Sequence, residues 1–361
     1  MKLAGIIAEY DPFHNGHAWQ LAQAKALGAG RVAVAMSCGL TQRGALPLLP
    51  EAVRVRAALT CGADLVFALP APCACAGAEA FARAGVRVLS AAGCDALVFG
   101  AETPDAALLM EAARILCSED YRAALKAQLA AGARSFAAAR HRAGGPAGQA
   151  QQQPCRRILQ GHPRTGRFHD PRSPAPPRRG PRGGTLPGRR AVRQCQRPAP
   201  ALAERRGRRR CPLRARRRAK CTGPEPFAAV RGVSEGLEHR LEHAVRTSST
   251  HQELLDALTT VRYPRARMRR LAMDAALGYD AALPPLPPYL HLLGARREAL
   301  SLLKGAVLPV SHSLMRLREE NPSCARMADA QLTASDLGAL CRKTPEPMGG
   351  LLRQKIVFLT K

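Results

Sequence analysis

An apolar run, Lys2–Ala8, passes straight into Glu9-Tyr10-Asp11-Pro12-Phe13-His14-Asn15-Gly16-His17, and that join constrains the fold more than any other feature of the chain. A buried-strand pattern followed by helical spacing over His17–Leu27 predicts a strand–turn–helix, the opening unit of a parallel α/β sheet. In such a sheet the crevice beyond the carboxyl end of the first strand is where ligands bind. Pro12 and Gly16 shape the turn, and Gly16 lets backbone approach a phosphate closely. The helix start adds unpaired N–H groups and the positive end of the dipole. His14 and His17 are three residues apart, so both imidazoles can face one phosphate there. Two donors so placed stabilise charge building up on a pentavalent α-phosphate. No protein nucleophile or base is demanded, because a carboxylate substrate can attack directly. A lone His-x-x-His fits a helix cap or a core equally well; the strand before it and the helix after it point to nucleotide binding.

The alternation continues. Arg31–Ser37, Leu65–Leu69 and Ala96–Phe99 read as strands, and Glu51–Thr60, Ala78–Ala92 and Asp105–Cys117 as helices joined by short connections. Residues 1–141 are therefore expected to form a Rossmann-like ATP-binding catalytic domain with a parallel sheet. Residues 223–361 read as a mostly helical domain. Its helices are expected at Val233–Val245, Thr250–Leu258, Arg265–Leu277, Arg296–Leu303, Ser323–Leu332 and Ser335–Cys341, with a closing strand at Lys355–Leu359.

Residues 142–222 differ in kind. The whole chain carries a formal charge of +28, but this segment alone holds 23 basic and 2 acidic residues. The remainder is close to an ordinary protein in charge. Runs such as Arg205-Arg206-Gly207-Arg208-Arg209-Arg210 lack apolar periodicity, and their proline density and like charge oppose a packed core. Disorder is the physical expectation, with an RNA-contacting linker as its functional version. GC-rich DNA read out of frame also yields Arg, Pro, Gly and Ala. The twelve cysteines stand at neither zinc nor disulfide spacings, so reduced, structural thiols and no metal site are expected, with Cys73 and Cys75 a buried pair. No apolar run is long enough for a membrane span, and the N-terminal run is cut by Glu9 and Asp11, which predicts a cytoplasmic enzyme.

Ile6-Ile7-Ala8-Glu9-Tyr10-Asp11-Pro12-Phe13-His14-Asn15-Gly16-His17 closely resembles the opening of the bacterial tRNA(Met) cytidine acetate ligase family, within the His-x-Gly-His nucleotidylyltransferase superfamily. The resemblance continues through Gln42-Arg43-Gly44, Asp64-Leu65-Val66, Ala78-Glu79-Ala80-Phe81-Ala82 and Phe99-Gly100-Ala101-Glu102. It resumes at Val233-Ser234-Glu235-Gly236 and Arg262-Tyr263-Pro264-Arg265. It implies a two-step reaction in which acetate and ATP give acetyl-adenylate and pyrophosphate, and the wobble cytidine of elongator tRNA(Met) then takes the acetyl group as N4-acetylcytidine. By the same resemblance His14 and His17 contact the phosphates, and Ile7, Ala8, Glu9, Tyr10, Asp11, Pro12, Phe13, Asn15, Gly16 and Gln20 line the ATP site. Gly100 lets backbone approach the nucleotide, Mg²⁺ accompanies ATP, and Arg262, Arg265, Arg267, Arg269 and Arg270 are tRNA-phosphate contacts.

The pattern fails in places. The family's Asn-Asn-Ile-Leu-type motif is replaced by Gln151-Gln152-Gln153-Pro154, and its Ser-x-Ser-x-Ile-Arg-type motif has no counterpart. Glu51-Ala52 stands where the family has an acidic residue followed by Lys, and Cys38-Gly39-Leu40 replaces Gly-Asn-Phe. Similarity up to about residue 141 and again from about 223, with Arg/Pro-rich text between, is what a pair of compensating frame changes produces. A chain carrying that text is expected to have little or no activity. The rival readings are another nucleotidylyltransferase acting on a small metabolite, and a non-enzymatic basic RNA-binding protein.

Overall fold

The computed structural model describes residues 1–101, 105–132, 139, 142, 225–342 and 344–359. Most of the Arg/Pro-rich segment and Glu102 lie outside the described residues. In chain order the elements are β1 (Leu3–Ala8), α1 (Asn15–Ala26), β2 (Arg31–Ser37), α2 (Glu51–Thr60), β3 (Leu65–Leu69), α3 (Ala71–Ala74), α4 (Ala78–Ala91), β4 (Ala96–Leu97), α5 (Ala106–Cys117) and α6 (Glu119–Ala130). Then come α7 (Glu225–Ala228), α8 (Leu237–Thr247), α9 (His251–Leu258), α10 (Arg265–Leu277), β5 (Leu290–Arg296), β6 (Val310–Ser311), α11 (Leu314–Glu319), α12 (Pro322–Leu340) and β7 (Val357–Leu359).

One sheet runs β4-β1-β2-β3-β5-β6, with β7 also on β5. Strands β1 to β4 pair in parallel, Ala8 standing opposite Met36 at the carboxyl ends of β1 and β2. Strand β5 joins β3 antiparallel across an irregularity at Val66/Phe67, so the sheet is mixed and its second half comes from the C-terminal region. Alternate strand residues face two cores. Ile6, Val34, Met36 and Val66 pack under Leu21 of α1 and Val55 and Leu59 of α2, while Ala33, Ala35, Leu65 and Phe67 pack under Val88 and Leu89 of α4. Gly85 lets α4 lie directly on β1, since a Cβ there would stand 2.6 Å from Ile7 Cδ1. A third core, built from Leu241, Val245, Leu254, Leu258, Met268 and Leu271, unites α8, α9 and α10.

Three expectations need correction. Only Ala96 and Leu97 of the expected fourth strand pair with β1. The two helices expected over Ser323–Cys341 are one, α12, with Cys341 as its C-cap, and Thr333 sits inside it with its hydroxyl sent back to Asp329 O (2.8 Å). Arg297–Gly305 is 3₁₀, and the strand before it carries no alternation to announce it, since all but the last residue of β5 are buried.

Candidate nucleotide site

The site forms where β1 ends. His14 is the N-cap of α1 in extended conformation, and its Nδ1 accepts the Gly16 N–H (3.1 Å). In return His17 Nδ1 accepts the His14 N–H (3.3 Å), closing a capping box built from two imidazoles. The rings stack with centroids 3.7 Å apart and planes 20° apart. With both Nδ1 atoms accepting, each neutral ring carries its proton on Nε2. Burial lowers the His14 pKa, and burial together with His14 holds His17 down to about 3. In both rings Nδ1 thus builds the helix start, and no hydrogen bond to Nε2 forms among the described residues.

Aromatic packing fixes the angle of His17. Tyr10 and Phe13, both fully buried, place their ring centroids 4.8 and 5.5 Å from it. Tyr10 has a φ of 50°, a left-handed backbone that costs a non-glycine residue about 1–3 kcal/mol and persists only when its surroundings hold it. On either side, carboxylates pin the neighbouring loop: Glu9 accepts the Gln42 N–H and Asp11 the Leu48 N–H, each at 2.5 Å. Burial raises the Glu9 pKa. From below, the Arg54 guanidinium donates to Glu9 O and Ser37 O, both at 2.9 Å.

The structure brings Glu9 through His17 together as expected, but it divides their roles. Asn15 and Gly16 are exposed at the helix start, whereas the side chains of Ile7 and Ala8 turn into the sheet packing and offer only backbone. Gln20 Nε2 donates to Val98 O (3.4 Å), tying α1 to the chain that leads to the exposed Gly100. Cys38, a departure from the family pattern, meets Glu51: the thiol lies against the carboxylate, which also accepts from Gln354 Nε2 (3.0 Å). Burial and Glu51 push that thiol well up. Cys73 and Cys75 are a buried pair of free thiols, each raised to about 12 by burial. Among the described residues no group of three His, Cys, Asp or Glu side chains is placed to hold a metal, and no helix is long and apolar enough to cross a membrane.

The arginines of α10 and the turn before it do not share one face: Arg265 and Arg269 both stand near His251, whereas Arg267 and Arg270 are neighbours on another side of the helix. Arg262 pairs with Glu235 (2.6 Å), Arg265 with Asp256, and Arg267 lies 4.9 Å over the Tyr263 ring. Arg269 stands near His251. Arg270 instead reaches into the molecule, toward Gln42 O (3.5 Å), and Gly44 packs its backbone on Arg269 and Arg270. Sequence reasoning missed Arg54. The signal was available, since a basic residue beside Val55, Ala57, Ala58 and Leu59 breaks the apolar face of α2.

A mostly parallel sheet, a paired-histidine helix start and the loop between them define a class. The chain belongs to the HIGH Nucleotidyl Transferase family, whose model matches residues 1–156 and 215–349. Among its relatives, the tRNA(Met) cytidine acetate ligase of Acetivibrio thermocellus is 29% identical over 96% of both chains, and that of Listeria monocytogenes 28% over 95% of both. The namesake from Syntrophotalea carbinolica reaches 44%, over 33% of this chain and 29% of its own. The fold matches Thermotoga maritima TmcAL bound with alpha-thio ATP at a TM-score of 0.81 and 24% identity, covering 99% of this chain and all of the other.

Proposed function

We infer that this chain is an ATP-dependent ligase that activates acetate as acetyl-adenylate and transfers the acetyl group to the wobble cytidine of elongator tRNA(Met), in the cytoplasm. The histidine capping box carries the reading, because it presents two neutral Nε2–H donors at the positive end of α1. The end-to-end likeness to proteins named tRNA(Met) cytidine acetate ligase supplies the substrates. An acetate oxygen attacks the α-phosphorus, the bond to the β-phosphate oxygen breaks and pyrophosphate leaves. The Nε2–H groups of His14 and His17 and the first amides of α1 take up the growing charge. The cytidine N4 amine then attacks the acetyl carbon, AMP leaves and the amine gives up a proton. Mg²⁺ would accompany ATP as part of the substrate complex, while one oxygen each of Glu9 and Asp11 holds a backbone amide of the neighbouring loop. Arg262, Arg265, Arg267 and Arg269 meet tRNA phosphates, while Arg270 supports the loop at Gln42.

The interruption of the family match between residues 156 and 215 supports reading the Arg/Pro-rich segment as frame-scrambled text. On that reading the chain holds the histidine half of the ATP site without the Asn and Arg motifs, and its adenylation is slow until that stretch is restored. Labelled acetate tests the function: label enters a tRNA(Met) transcript only with ATP, and not when the wobble cytidine is replaced by uridine. Pyrophosphate release that needs a small metabolite in place of tRNA would move the assignment to another nucleotidylyltransferase.

A further inference from the structure

We propose that Arg54 is the positioning residue of the adenylation loop, holding the left-handed Tyr10 turn so that His17 keeps its face toward the phosphates; this rests on the ATP-site reading above. Arg54 lies on α2, away from the His-x-Gly-His run, and is only 1% exposed. Among the described residues it forms no ion pair. A single nitrogen, Nη1, bridges the carbonyls of Glu9 and Ser37, which follow the end of β1 and close β2. Beyond the last rung of a parallel ladder such carbonyls have no strand partner, and left buried they would need another donor. The guanidinium thus locks together the two strand ends that border the crevice.

The residue after Glu9 is Tyr10, whose φ of 50° needs outside support. Its ring is fully buried and meets the rings of Phe13 and His17, each at 4.8 Å. A displacement of Glu9 O therefore passes through Tyr10 to His17, and through the Nδ1 contact to His14. A buried cation with no carboxylate at ion-pair distance is a poor source of stability; the Glu9 carboxylate acts on Arg54 only through space, and Arg54 Nε has no partner among the described residues. Its geometry serves the loop.

Arg54→Met fills similar volume but leaves both carbonyls unpaired, and Arg54→Lys keeps one donor group. In ¹⁵N-histidine-labelled protein without nucleotide, the wild type should show His14 and His17 as Nε2–H tautomers. The signature should weaken in Lys and disappear in Met, with far-ultraviolet circular dichroism unchanged. Affinity for alpha-thio ATP should fall in the same order, by about tenfold in Met, the worth of roughly one charge-assisted hydrogen bond. A lower melting temperature with the histidine signature and nucleotide affinity intact overturns the proposal. If Met does not fold, Lys alone is read by the same two criteria. The histidine spectrum needs no ligand, so a wild type that ignores alpha-thio ATP sinks the ATP reading while the Arg54 result still stands or falls by the spectra.

Discussion

The histidine loop and the arginine helix are both basic features that the sequence places against an anion, yet the structure treats them differently. Around His14 and His17 five sets of polar atoms are committed to orientation: the His14 Nδ1, the His17 Nδ1, the Glu9 and Asp11 carboxylates, and Nη1 of Arg54, while the buried Tyr10 hydroxyl has no partner among the described residues. What is left over is a pair of Nε2–H donors fixed in one tautomer. On α10 the arginines are spent on one another's surroundings, in exposed pairs with Glu235 and Asp256 and in stacking on Tyr263. Such pairs are worth little and exchange readily for phosphate. On the proposed reading the histidines serve as donors that cannot move, and the arginines as donors to tRNA phosphates that can.

The comparison is broken most severely at the histidines. His14→Ala with His17→Ala should cut adenylate formation by about 10²–10³-fold, as expected for removed transition-state donors, and leave tRNA affinity nearly unchanged. Pyrophosphate release and filter binding read the two effects. Exchanging residues 157–214 for the corresponding stretch of the Acetivibrio thermocellus relative should raise affinity for alpha-thio ATP by about tenfold or more, the worth of a restored charged contact. Sequencing the coding DNA there should reveal paired insertion and deletion. Gly44→Ala should lower stability by about 1–3 kcal/mol in urea unfolding, because Gly44 has φ 73° and a Cβ would lie 3.2 Å from Arg270 N. Arg262→Ala and Arg267→Ala should each flatten the salt dependence of tRNA binding by about one unit of slope, whereas Arg270→Ala should reduce stability instead.

A further effect is expected in acid. His17 is held at about 3 when folded but is ordinary when unfolded, so the unfolded state binds the extra proton between these values. Stability should fall as pH drops from about 6.5 toward 3. His17→Gln should lose less over that window in urea titrations.

The strand–turn–helix at the N-terminus was legible because its signals are local: an apolar run, Gly16 and two histidines three apart. The family residues from Glu9 to His17 could be gathered in advance for the same reason. Strand β5 could not, since its neighbour β3 lies more than two hundred residues away and its burial on both faces erases alternation. Arg54 and the turn at Tyr10 escaped for a related reason: their meaning comes from a carbonyl and a ring brought near by the sheet. The split of Ser323–Cys341 into two helices fails at Thr333, whose hydroxyl is satisfied inside the helix.

The most direct test is acetate- and ATP-dependent labelling of tRNA(Met) by the chain with residues 157–214 exchanged, with and without the two histidines. The account predicts labelling that requires ATP, stops at His14→Ala with His17→Ala, and is far weaker in the unexchanged chain. An exchanged chain that binds tRNA and folds, yet releases no pyrophosphate from ATP and acetate, would contradict it.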